Sequence, residues 1–560
     1  MRKDISQWLE KRAELTLRLQ ECPYGSDIWL QRAECHEELG YPDLAAGDAY
    51  RALLLTDEVL EEEGEYHSEA VEAIETRGKR SGSYGGPHDG QENLGKLSEN
   101  RYDSDSSRKK TPDESWYHLV AKDDAFHAYA VLSRTLATCG DLRSAYDFVE
   151  RGLLAHPEHE RLRLQQLKIL EQRGVEDSQN DSTKNVSGFQ GREDLQENGS
   201  ARRDIYAWNE HEPHRLSPEH VAFINKQIRK HAPKCEVLVT ELPLLESACS
   251  PNTRKPTSNK QLGVFATADI EPNEHVLLEP SVLTASAELH DSLCDACSTQ
   301  LLPFSPDSPL PSCPSCEDIF FCSQACFERA QTTYHPAVCR VEDFDIVAKD
   351  PSPSAATNAL YALLVARVMA MAETQGIHPL DLPQTKYLWG DFNCPDMATG
   401  RTLPFSFSNN IALPLHLLAR LDKNPFAPEI LDRYDTWVIN TLLAKFRATA
   451  NAKMNERTGI PEIAGVHWLW CLANHSCAPN VQWEWEKGGM GLTARSGGAV
   501  VRWGETALKG SWKGGIKAGQ EILNHYCDVG LPVKERREWA VGALGGTCMC
   551  ERCCWEDSEH

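Results

Sequence analysis

Residues 468–486 read WLWCLANHSCAPNVQWEWE, and the reading of the whole chain turns on them. Asn474, His475, Ser476, Cys477, Pro479 and Asn480 fall within seven positions, with tryptophans on both sides. Tryptophan flanks mark a segment built to be buried. Burying an unpaired amide or imidazole costs about 1–3 kcal/mol on mutational scales, so these side chains require partners, which a ligand or a metal can supply.

The cysteines indicate a metal. The sequence holds 20 of them in 560 residues, and the opening MRKDISQWLE carries no apolar signal segment. An intracellular chain is therefore expected, in which thiols stay reduced and clustered cysteines read as metal ligands rather than disulfides. Four close pairs lie between 294 and 339: Cys294 with Cys297, Cys313 with Cys316, Cys322 with Cys326, and His335 with Cys339. Eight ligands at these spacings suffice for two closed tetrahedral zinc sites. A third cluster, Cys548, Cys550 and Cys553 in TCMCERCCWE, is one ligand short of a third site. Either the neighbouring Cys554 or a cysteine distant in sequence completes it, and Cys477 is the candidate that also accounts for its own place in the opening stretch.

Lys plus Arg number 58 against 83 Asp plus Glu, a net charge of −25. That balance argues against direct nucleic-acid binding and against an anionic membrane face, and no run nears the roughly 18 apolar residues of a membrane span. Residues 1–173 read as helical. SDIWLQRAECHEELGYPDLAAGDAYRALLLTD and AYAVLSRTLATCGDLRSAYDFVERGLLAHPEH place bulky and small residues as tetratricopeptide-like helix-turn-helix repeats do, with a generic pair of helical hairpins as the plainer reading. Residues 77–112 and 174–202, polar and poor in large apolar side chains, are expected to be a disordered insert and a disordered linker. Beyond them, 235–246, 262–270 and 275–283 read as strands, and 355–374 and 429–456 as helices. The C-terminal quarter returns to strands in NVQWEWE, GLTARS, AVVRWG and QEILNHYCD. The expected class is α+β.

Taken in order, LGVFATADIEPNEHVLLEP (262–280), the cysteine block, NHSCAPN (474–480) and GQEILNHY (519–526) followed by CxCxxC resemble the SET and MYND domain family of protein lysine methyltransferases. The resemblance covers about 235–555, and the N-terminal repeats are similar to those of tetratricopeptide-bearing and fungal relatives. It implies a SET-type β-fold divided between 203–293 and 466–530, a MYND zinc finger at 294–339, a helical insert at 340–465 and a zinc-binding tail at 531–560. An interleaved finger would give one zinc to Cys294, Cys297, Cys322 and Cys326 and another to Cys313, Cys316, His335 and Cys339. Cys477 would join Cys548, Cys550 and Cys553 around a third.

The same resemblance implies S-adenosylmethionine as cofactor, met by Gly263, Asn474, His475 and Tyr526, with Tyr526 as the catalytic residue. A protein substrate bearing a target lysine follows, with histone and non-histone proteins both open, in nucleus or cytoplasm or both. Peptide partners on the finger and the repeats would also fit. Two positions depart from the family pattern: its GxG cofactor turn stands here as Gln261-Leu262-Gly263, and the aromatic residue before the tail cysteines is replaced by Gly545-Gly546. His525 and Cys527, alternating to the other face from Tyr526, read as structural. The alternative function is a non-catalytic adaptor that binds protein partners through the same scaffold.

Overall fold

The computed structural model describes residues 5–80, 115–180, 192–243, 258–287, 292–389 apart from 304, 306–308, 317–318 and 343, then 401–504, 514–544 and 547–558. Most of the expected insert at 77–112 and the Gly545-Gly546 pair lie outside them. The fold is α+β, with small antiparallel sheets, many helices and several cysteine-rich clusters. Among the described residues no helix is long and apolar enough to cross a membrane. One compact unit gathers Met1–Ala201 with Pro404–Ala412 and Asn424–Thr436; the other holds Arg202–Leu403, Leu413–Lys423 and Trp437–His560.

The first unit is helical: α1 (Ile5–Glu21), α2 (Ser26–Glu38), α3 (Pro42–Leu60), α4 (His67–Arg80), α5 (Trp116–Cys139), α6 (Leu142–Ala155) and α7 (Glu160–Asn180). Trp29 and Ala33 on α2 and Ala45, Ala49 and Ala52 on α3 have no solvent exposure, because alanines let the helix axes approach while the indole fills the gap. Gly140 ends α5 in a left-handed conformation at φ 91°, and Asp141 starts α6 by accepting the Ser144 N–H. Part of the expected linker is seated: Arg143 N donates to Gln196 O at 3.0 Å, and a Cβ on Gly199 would collide with the Cys139 carbonyl. Glycine makes that approach possible.

The second unit carries three sheets. β1 (Cys235–Pro243) pairs with β2 (Ser258–Ala266). β3 (His275–Pro280), β8 (Gly489–Ala494) and β7 (Val481–Glu486) form another in that order, and β4 (Leu283–Ser286), β6 (Pro461–Val466) and β5 (Asn451–Met454) the third. Its main helices are α8 (Pro218–Ile228), α9 (Gln324–Thr333), α10 (Ala356–Gln375), α11 (Leu413–Arg420), α12 (Thr436–Thr449), α13 (Val533–Leu544) and α14 (Glu551–Ser558). α10 begins and ends one residue beyond its expected range. The single helix expected over 429–456 is instead Pro428–Tyr434, then α12, then β5, because Asp435 is extended and its Oδ1 accepts the Thr436 N–H. AVVRWG forms no strand among its described residues. QEILNHY contributes isolated bridges, Phe265 with Glu521 and His475 with Asn524, rather than a strand.

Candidate active site and metal clusters

Residues 474–480 and 521–526 lie against each other with Val264 beside them. Asn524 N donates to Asn474 O and Ser476 N to Asn524 O, both at 2.8 Å, while Ile522 N reaches Val264 O at 2.7 Å. The polar side chains of the opening stretch find most of their partners here. Asn480 donates to Glu521 O (2.7 Å) and accepts from Leu523 N (2.8 Å). Asn474 Nδ2 donates to Leu262 O (3.0 Å) and to Glu521 Oε1 (2.7 Å). Threading of the chain, more than a ligand, thus satisfies these amides.

A cleft of about 1090 Å³ opens beside this junction. Asn474, His475 and Tyr526 line it with Trp470 and Trp483, whose rings meet edge-on at 5.9 Å. Tyr526 O–H donates to the Ala473 carbonyl at 2.8 Å. Burial, reinforced by Cys471 and Glu521, pushes its phenol up, so the hydroxyl keeps its proton. Burial also holds His475 at about 4, hence neutral, and raises the Glu521 carboxyl. Gly263 sits beside Glu521: a Cβ there would stand 2.5 Å from Glu521 Oε1. Gly263, Asn474, His475 and Tyr526 are therefore brought to one neighbourhood, although Gly263 itself does not line the cleft.

The twelve candidate metal ligands fall into three groups: Cys294, Cys297, Cys322 and Cys326; Cys313, Cys316, His335 and Cys339; and Cys477, Cys548, Cys550 and Cys553. In each, all ligand atoms lie within 4.8 Å of one another. Four sulfur or imidazole donors at this separation match a tetrahedral zinc. The surroundings fit a bound ion as well. Arg329 on α9 donates to Cys326 Sγ at 2.9 Å and to Ser281 O at 3.1 Å, and Arg536, 1% exposed, donates to Cys553 Sγ at 3.5 Å. A guanidinium placed on sulfur favours the thiolate, the form in which cysteine would bind zinc, although Arg536 also pairs with Glu556.

These clusters are fixed to the cleft's framework. Arg367 on α10 pairs with Asp295 at 3.1 Å and stacks over Tyr334 at 3.8 Å, so that despite its burial the Asp295 carboxyl is held at about 2. The Lys487-Gly488 turn between β7 and β8, with φ of 49° and 75°, lies against Cys297 Sγ. At the tail, Arg552 Nη1 donates to Cys477 O and Val529 O, both at 2.8 Å.

Sequence reasoning gave Cys527 a structural role without its metal-site neighbours and missed several other participants. Cys527 is buried beside Cys477 and forms a further grouping with it and His475. Its position next to Tyr526 in QEILNHYCD was the available signal. Glu279 was not singled out: buried on β3, it accepts from Leu469 N (3.3 Å) and Trp470 N (2.8 Å), fixing the turn that leads into NHSC. Arg329, Arg536 and Arg552 had no local signature. His211, His378 and Asp381 also approach one another closely enough for a metal. Their two rings stack at 3.7 Å and 4°, which prevents both in-plane lone pairs from converging on one ion, and Lys386 already holds Asp381 at 2.8 Å. No protein-family model matches the chain, and no curated protein matches it.

Proposed function

We propose that the chain is an S-adenosylmethionine-dependent protein lysine N-methyltransferase, with a SET-type core, an inserted MYND-type zinc finger and a zinc-bound tail. The observation that carries the reading is Tyr526, held in the cleft by its hydroxyl on Ala473 O, on a segment paired directly with NHSC. Methyl transfer from a sulfonium to an amine is an in-line displacement, so the protein must place a neutral amine and exclude water. S-adenosylmethionine, when bound, supplies the methyl group. Asn474 and the backbone beside Gly263 and His475 are the groups to hold it. Because the Tyr526 proton is committed to Ala473 O, its oxygen lone pairs can accept an N–H of the substrate lysine and turn the amine lone pair towards the methyl. The Trp470 and Trp483 rings keep water from that point. Three zincs hold the finger and the tail, and the substrate is a lysine of a partner protein.

One observation favours the adaptor reading. Asn474 already has protein partners at both of its donor contacts, and Gln261-Leu262 replaces the first part of the glycine turn. Equilibrium binding of labelled S-adenosylmethionine to the purified chain, followed by methyl transfer onto a protein extract, decides between them. Binding with transfer is expected; no binding at saturating cofactor would leave the adaptor.

A further inference from the structure

The imidazole of His475 stands between the tail cluster and Tyr526. Its Nε2 is 3.3 Å from Cys477 Sγ, and its Nδ1 accepts the Tyr526 backbone N–H at 3.1 Å. The second contact fixes the tautomer. An Nδ1 that accepts carries no proton, so in the neutral ring the proton is on Nε2, directed at the sulfur. That arrangement excludes His475 as a metal ligand, since a ligating Nε2 would require a proton on Nδ1, facing the Tyr526 N–H. Nor is it needed as one: Cys477, Cys548, Cys550 and Cys553 already complete a tetrahedron.

We infer that His475 is a positioning residue that ties the Cys477 thiolate of the tail metal site to the backbone of Tyr526. An N–H donor on a metal-bound thiolate fixes the direction of the metal–sulfur bond, as outer-shell partners of ligands do. From there the link continues through Tyr526 N to the ring, 5.2 Å from the imidazole, and to the hydroxyl on Ala473 O. Occupancy of the tail site thereby sets where the phenol stands in the cleft. The inference about the metal concerns this chain's own hydrogen bonds; its consequence for turnover rests on the methyltransferase reading.

Two conservative variants in the full chain cut the link on opposite sides. His475→Asn keeps an acceptor near the Nδ1 position but cannot reach Cys477. His475→Gln keeps a donor near the Nε2 position but loses the acceptor for Tyr526 N. Both are expected to retain three zincs. In His475→Asn one third of the zinc should pass to a chelator about tenfold faster, the scale of an outer-shell loss. In His475→Gln metal release should match wild type while kcat falls with KM little changed. Wild-type release kinetics in His475→Asn, or a loss confined to cofactor affinity in either variant, would overturn the assignment. If the wild type transfers no methyl group, the methyltransferase reading fails, while the metal-release comparison still decides the bond to Cys477.

Discussion

Tyr526 and Glu279 show how much single side chains carry here. Tyr526→Phe keeps the ring and removes the oxygen that orients the amine, so zinc content and cofactor affinity should persist while turnover falls. Loss of one preorganised hydrogen bond in the reacting geometry costs about 3 kcal/mol, on the order of a hundredfold in kcat. Asn474→Ala, by contrast, leaves Leu262 O and Glu521 unpaired and should appear first as weaker cofactor binding. Wild-type turnover by Tyr526→Phe would remove the catalytic assignment.

Glu279 gives a pH signature. Burial raises its carboxyl to about 8 against the two or three backbone N–H groups that favour the charged form. Unfolded, a glutamate titrates near 4.3. Between those values the folded chain holds a proton that the unfolded chain has released, so this contribution is full below about 4.3 and is lost as pH rises through 8, by at most about 1.4 kcal/mol per pH unit. Glu279→Gln, with one acceptor for two donors, should be less stable than wild type at pH 5.5, and the gap should narrow by pH 8. Urea midpoints of the two proteins at both pH values test this; a gap that widens with pH would mean the carboxyl is ionised in the fold.

Elements were legible where local pattern suffices. α10 followed from its length and apolar spacing, and β1, β3, β7 and β8 from β-branched and aromatic stretches between turn residues. Cysteine spacing likewise announces which residues can share a metal, because pairs three or four positions apart need only a single turn of chain to meet on one ion. What the spacing left open was the fourth tail ligand, because Cys477 and Cys548 are 71 positions apart in the chain. The tail element α14 is eight residues long, starts directly after Cys550 and carries Cys553. Cys477, Cys548 and Cys553 are buried there around Ala540, Arg536 and Arg552 tie the tail down, and a metal on the four sulfurs would hold α13 and α14 in place. Cys548→Ser should therefore lower zinc from three per chain to two by elemental analysis, and make Trp555 more accessible to a fluorescence quencher. Two zincs in the wild type, unchanged by this substitution, would show that the tail cluster holds none.

At the scale of the whole molecule, the order of the chain conceals the order of the fold. Asn424–Thr436 belongs to the same unit as the N-terminal helices, and no local pattern announces it. The cause is a buried charge network. Arg32, with no solvent exposure, pairs with Asp48 at 2.6 Å and with Asp435 at 3.3 Å, while His36 reaches Asp48 at 2.9 Å. Burial alone would raise the Asp48 carboxyl, but Arg32 and His36 hold it well below the ordinary range. The partner that breaks the expected 429–456 helix at Asp435 thus lies 403 positions away. Arg32→Met fills much of the same space but takes from Asp435 its ion pair and leaves Asp48 only His36 as a direct partner, and breaking such a buried pair costs about 3–5 kcal/mol. The Thr436 Oγ1 contact of Arg51 and the Tyr24 contact of Asn424 do not replace it. The variant should unfold at lower urea concentration and become open to proteolysis near residues 424–436 first, since those residues lose their buried anchor while the helices of α1 to α3 keep their apolar packing. The matched control is Arg32→Met combined with Asp48→Leu and Asp435→Leu, which removes the stranded charges and should recover a large part of the loss. Equal stability of wild type and Arg32→Met would show that apolar packing alone holds the segment in place.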